Sequence, residues 1–206
     1  MVFFLQKYLF LAIKKSIFLL KIHILKNILI QYKPFFAFLL KFLLFYAVFA
    51  FLYKMYLNQY DAATNEVDYF TKVVANQTID LLNLVVGEAK NLPHQTESSI
   101  KVFFKDKYLA RVVEGCNAVS VMILFAAFIF AFSNRWVKTG LYIVLGILII
   151  HALNILRIAL LTYALYYYPV YEELLHGTIF PLFIYGVVFL LWILWITKFS
   201  GYVKRN

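Results

Sequence analysis

The acidic residues of this chain are confined to two stretches, and long apolar runs separate them from every acid-free basic cluster. Asp61, Glu66, Asp68, Asp80, Glu88, Glu97, Asp106 and Glu114 lie in the first stretch, and Glu172 and Glu173 in the second. Lys7, Lys14, Lys15, Lys21, Lys26, Lys33, Lys41 and Lys54 precede the first acid. Arg135 and Lys138 form a basic island at residues 134–139, and Lys198, Lys204 and Arg205 close the chain. Between these polar segments run apolar stretches at 34–53, 117–132, 140–167 and 178–197. A helix needs about 20 residues to cross ~30 Å of hydrocarbon. The first and fourth runs fit that length, the second is short and borrows a turn from residues 112–116, and the third is long, so it tilts or protrudes. In lipid every backbone polar group must be paired, so these runs are expected to be helices.

Composition agrees. The chain is 64% hydrophobic and 15% charged, whereas soluble domains are about half apolar and a quarter charged. That excludes soluble, disordered, collagen-like and nucleic-acid-binding classes. The net charge of +10 is then a topology signal, because basic loops stay on the cytoplasmic side. With the basic segments inside, all ten acids fall outside, and four crossings satisfy the pattern. Residues 58–115 and 168–175 are external; both termini are cytoplasmic. Within residues 1–33 the lysines fall in an arc of about 140° at helical spacing, which describes a basic amphipathic helix on an anionic leaflet. In the external segment, apolar spacing predicts a helix over residues 66–90 and a loop over 91–99. Asn76-Gln77-Thr78 matches a short, common glycosylation sequon. The expected architecture is an all-α, polytopic integral membrane helical bundle of about four transmembrane helices. The amphipathic segment 1–33 precedes the membrane-embedded part at 34–197, and a cytoplasmic tail at 198–206 closes the chain.

Ionisable groups at bilayer depth are costly and mark function or pairing. Arg157 lies inside the third run, and Asn154 and His151, at three-residue spacing, share its helix face. Cys116, the single cysteine, sits where the external segment enters the second run. No intrachain disulfide is open to it. A lone buried cysteine is ordinarily a small hydrophobe; here Gly115 and Asn117 permit a tight turn at a helix N-terminus, where the dipole favours an anion. His176 lies at the outer start of the fourth run. The topology thus brings Cys116, Arg157 and His176 from three runs to the outer leaflet. Their chemistry fits acyl transfer: a thiolate nucleophile, a histidine that accepts and returns a proton, and a guanidinium that stabilises an oxyanion. Two other classes fit less well. A non-enzymatic transport or assembly component would use Arg157 and His176 as a polar path, yet no inverted repeat supports it. A serine protease would use Ser120 with His176, without a G-x-S-x-G context. His23, His94, His151 and His176 are not ligand-spaced, so neither a metal nor another cofactor is expected.

The order G-C-N-A-x-S at 115–120, N-x-x-R-I at 154–158 and H-G at 176–177 resembles the exosortase/archaeosortase family. The start Q-Y-K-P-F-F-x-F-L-L-K-F at 31–42 is most similar to the short exosortase F branch. The resemblance implies a membrane cysteine protease or transpeptidase acting on a C-terminal sorting signal, namely a short motif, a transmembrane helix and a basic tail. It implies Cys116 as nucleophile, His176 as general base and acid, Arg157 as oxyanion stabiliser, and Asn154 and Asn117 as supporting residues. The expected partners are the lipid bilayer and such a protein substrate, with no nucleic acid. The expected location is the bacterial cytoplasmic membrane, with the active site toward the outer face. Many members carry Cys-Ser-Gly and more spans; this chain has Cys-Asn-Ala and four or five.

Overall fold

A computed structural model describes residues 30–60, 64–133 and 135–199, with isolated positions 14, 23, 26 and 28 before them. The segment 1–33, expected to form an amphipathic helix, and the tail from residue 200 lie largely outside the described residues. The chain divides into residues 1–41 and residues 42–206. The helix α1, Lys33–Leu57, begins in the first unit and ends in the second. The helices and strands described below lie in the second unit.

The structure is mostly helical, as expected. Three helical stretches are long and apolar enough to cross a membrane: Lys33–Leu57, Trp136–Tyr167 and Pro169–Phe199. A fourth apolar helix, at Val119–Ala131, has 13 residues, or ~20 Å at 1.5 Å per residue. The second apolar run is therefore short in structure as in sequence. It is also enclosed: Phe125, Ala126, Ala127, Ile129 and Ala131 are buried. By contrast, α1 has no buried residue, and Leu43, Leu44, Phe49 and Phe51 expose their side chains. Exposed apolar faces of this size need an apolar surrounding.

The polar segment between the first two apolar runs departs from the helix-and-loop expectation. Its helix, α2, spans Tyr69–Val85 and is capped by Asp68, whose carboxylate accepts from Thr71 N at 3.0 Å. A three-stranded antiparallel sheet comes after α2: β1 Ala89–Pro93, β2 Ser99–Phe104 and β3 Lys107–Val113. The stretch expected to be a loop thus contains the end of β1. Alternation places Ile100, Val102 and Phe104 in the core. Asn83 fixes the first strand by pairing with both polar groups of Ala89, donating to its carbonyl at 3.0 Å and accepting from its N–H at 2.7 Å. The β2–β3 turn has Lys105 and Asp106 at φ 49° and 58°, the left-handed pair of a tight primed turn. Lys90 reaches the Asp106 carboxylate at 2.5 Å and holds its carboxyl below the usual range. This contact favours the native hairpin at neutral pH and fades as acid protonates the carboxylate. The Asn76-Gln77-Thr78 sequon lies inside α2. Thr78 is fully buried and donates to Val74 O at 2.8 Å, so the match is a helical one.

Two apolar cores result, and one helix belongs to both. The outer core joins Val74, Ile79 and Leu82 of α2 and Val102, Phe104 and Val112 of the sheet to Ile158 and Ala159. The inner core joins Ala118, with Phe125 and Ile129 of α3 (Val119–Ala131), to Ile150, Val188 and Trp195. Residues 150, 158 and 159 lie on α4, Trp136–Tyr167, whose 32 residues measure ~48 Å. Its excess length is the part that packs on the sheet: Phe104 meets the rings of Tyr163 and Tyr166 at 6.1 and 5.1 Å. The last long helix, α5 at Phe180–Leu194, completes the inner core, with Trp192 stacked on Phe128 at 4.3 Å.

The closest packing is between α3 and α4. A Cβ on Gly146 would stand 2.2 Å from a ring carbon of the fully buried Phe125. Gly146→Ala is therefore expected to destabilise the protein by about 1–3 kcal/mol through overpacking. A lowered thermal unfolding midpoint in detergent, recovered in Gly146→Ala/Phe125→Leu, checks this.

Candidate active site

The chain passes from one core to the other between Cys116 and Ala118. Cys116 packs against the outer core and Ala118 belongs to the inner one. The passage is a sharp turn. β3 ends at Val113, Glu114–Cys116 form one 3-10 turn, and Ala118 adopts a left-handed φ of 63° before α3 begins. Asn117 builds this turn. Its Oδ1 accepts from Val119 N at 2.9 Å, and its Nδ2 donates to Tyr53 OH at 2.9 Å and Thr71 Oγ1 at 3.2 Å. At 2% exposure it has exchanged water for these partners, which a buried amide requires.

Asn154 holds the turn from the other side. It is 1% exposed and its Nδ2 donates to the Cys116 carbonyl at 2.7 Å. It lies four residues after Ile150 of the inner core and four before Ile158 of the outer one. Asn154 therefore meets the chain where the chain changes cores. Cys116 itself is half-buried with a free thiol.

Arg157 lies three residues beyond Asn154 on α4 and is half-buried. Among the described residues no hydrogen bond or ion pair is formed by its guanidinium. His151 does not join this group; it bonds Gln77 Oε1 at 2.8 Å and so ties α4 to α2. His176 is exposed and lies in a π-helical turn, Leu175–Ile179. The turn has a local cause: Pro181 has no N–H for the carbonyl of Gly177, and its ring crowds that carbonyl. His176 lines a cavity of about 440 Å³ with Arg111, Glu172, Leu161 and Leu165. Leu161 is one turn beyond Arg157, ~6 Å along the axis.

The predicted residues thus range along one helix: Cys116 at the level of Asn154, then Arg157, then His176 over Leu161 and Leu165. Cys116, Asn117 and Asn154 are brought together. Cys116 and His176 are not in hydrogen-bond contact: Cys116 meets α4 at Asn154, whereas His176 shares a cavity with Leu161 and Leu165, about two to three turns further along the helix. Sequence reasoning missed Tyr53 and Thr71, which hold Asn117. A tyrosine at the outer end of an apolar run reads as an interfacial anchor, and nothing nearby in sequence discloses its partner. The π turn did have a signal, the proline four residues after Gly177.

A second cavity, of about 560 Å³ and almost wholly apolar, lies between α1, α2, α3 and α4. Phe45, Phe49, Met122, Ile143 and Ile147 line it, and Asn117 and His151 border it. It ends beside the Cys116 turn.

The fold and site define a polytopic helical membrane protein whose polar residues collect where the sheet-bearing segment meets the bundle. Comparison with known families agrees: the transmembrane exosortase family (Exosortase_EpsH) matches residues 16–198. The chain belongs to the transmembrane exosortase family. No curated protein and no solved structure matches it.

Ala118 holds a left-handed φ of 63°, which glycine adopts without strain. Ala118→Gly is therefore expected to raise stability by roughly 0.5–1 kcal/mol, read as a higher unfolding midpoint in detergent.

Proposed function

We propose that this chain is a membrane cysteine peptidase or transpeptidase of the exosortase F kind. It cleaves the C-terminal sorting signal of exported proteins at the outer face of the bacterial cytoplasmic membrane. The observation that carries the proposal is the Asn154–Cys116 hydrogen bond. It fixes the chain's only thiol to the helix that bears Arg157 and walls the His176 cavity.

In the proposed reaction, Cys116 Sγ attacks the scissile carbonyl carbon as its proton passes to His176. Arg157 pairs with the oxyanion of the tetrahedral intermediate. Collapse breaks the C–N bond, His176 protonates the departing amine, and a thioester remains. Water, or an acceptor nucleophile in transpeptidation, then releases the acyl group and restores the thiol. The gap between Cys116 and His176 closes as a peptide is bound, since catalytic contacts commonly tighten only in the substrate complex. The large apolar cavity beside Asn117 offers the membrane-embedded part of the substrate a place next to the nucleophile. The topology proposed has four crossings, with α3 as the second and both termini in the cytoplasm.

The test is a reporter ending in a short peptide, an apolar helix and a basic tail, taken from a neighbouring reading frame and co-expressed with this chain. Cys116→Ala is expected to abolish processing with membrane insertion intact; retained processing rejects the nucleophile. Arg157→Lys is expected to lose about 100-fold or more in kcat/KM, because a point charge does not replace a planar fork. Wild-type activity in that variant rejects the oxyanion role. For topology, a membrane-impermeant maleimide is expected to label Cys116 from the outer side of intact cells. Labelling only after permeabilisation inverts the orientation.

A further inference from the structure

The Cys116 turn is held by more than its neighbours in sequence, and its most distant support comes from the first membrane helix. Tyr53 OH accepts from Asn117 Nδ2 at 2.9 Å, and Tyr53 lines a small cavity together with Glu114. Glu114 lies two residues before Cys116 and Asn117 one residue after it. Tyr53 is therefore bonded to one flank of the cysteine and lines a cavity with the other. The helix that carries Tyr53 has no buried residue, so apolar packing constrains α1 weakly at this level, whereas the hydroxyl contact is directional. On the far side of the turn Asn154 takes the Cys116 carbonyl.

We propose that Tyr53 is a positioning residue for Cys116: its hydroxyl clasps Asn117, fixing the thiol between α1 and α4. The clasp makes α1 part of the site, although no residue of α1 bears a reacting group. Phe45 and Phe49, two and one turns before Tyr53, also wall the apolar cavity that ends at Asn117. Movement of α1 away from α3 would thus open that cavity and release the thiol turn together. The inference deepens the peptidase proposal and rests on it for its consequence in catalysis. The clasp itself is testable without a substrate.

The chain's single cysteine makes alkylation by N-ethylmaleimide a report on Cys116 alone. The full-length protein in lipid vesicles is compared with Tyr53→Phe and with Tyr46→Phe, a control on the same helix. The rate constant is expected to rise about threefold or more in Tyr53→Phe, the factor that one lost hydrogen bond represents, and to stay at the wild-type value in Tyr46→Phe. On the sorting-signal reporter, kcat is expected to fall about fivefold or more with KM within about twofold. The unfolding midpoint is expected to stay within about 2 °C of wild type. An unchanged alkylation rate in Tyr53→Phe overturns the clasp, as does a loss of processing expressed only in KM. If processing survives Cys116→Ala while Tyr53→Phe still speeds alkylation, the clasp stands and the peptidase reading falls. If processing needs Cys116 but Tyr53→Phe alkylates like wild type, the reverse holds.

Discussion

One hydrogen bond joins the two halves of this protein at the point where they share a helix. Asn154 Nδ2 donates to the Cys116 carbonyl at 2.7 Å, between a core built on the sheet and a core built inside the bundle. An amide with no partner at that depth would cost several kcal/mol. The pairing therefore fixes the register of the strand-to-helix turn against α4. Cys116, the Asn117 network and the start of α3 all depend on that register.

The arrangement uses the bilayer's rule about polar groups twice. Backbone groups must be satisfied within the chain, which makes the apolar runs helical. The non-helical turn at Glu114–Ala118 is tolerated because Asn117 and Asn154 supply its partners. Polar side chains are then gathered where the irregular backbone is. That coincidence places a thiol, a guanidinium and an imidazole along one helix at the edge of the apolar layer. The apolar cavity runs up to the same turn, so polar chemistry and apolar recognition meet at Asn117.

Much of this was legible in the sequence because charge and hydropathy act over short range. The long apolar helices appear where the runs lay, and the second run is short in both. The excess length of the third run is the part of α4 that packs on the sheet. The β-sheet was not legible. Its strands pair residues such as Ala89 with Phe104, the alternation Ile100–Val102–Phe104 spans only three core positions, and the β2–β3 turn uses Lys105-Asp106 in place of the usual Asn-Gly. Of the candidate site, the sequence grouped Cys116, Arg157 and His176; in the structure Cys116 meets Asn154, and His176 lines a cavity further along α4. His151, grouped with Asn154 and Arg157 by helix face, is committed to Gln77.

By itself the sequence determined the class of protein: a helical membrane bundle with one thiol at a helix entrance and an arginine and a histidine near the same end. Local rules suffice for that, because burial in lipid and the sidedness of lysine act on each segment independently. Only the tertiary structure decided which residues hold that thiol. Tyr53, Thr71 and Asn154 come from three separate helices. Their approach depends on packing between elements distant in sequence, for which no residue spacing carries a signal. The offset between Cys116 and His176 has the same origin, since it is set by how far α4 rises between its contacts with one and with the other.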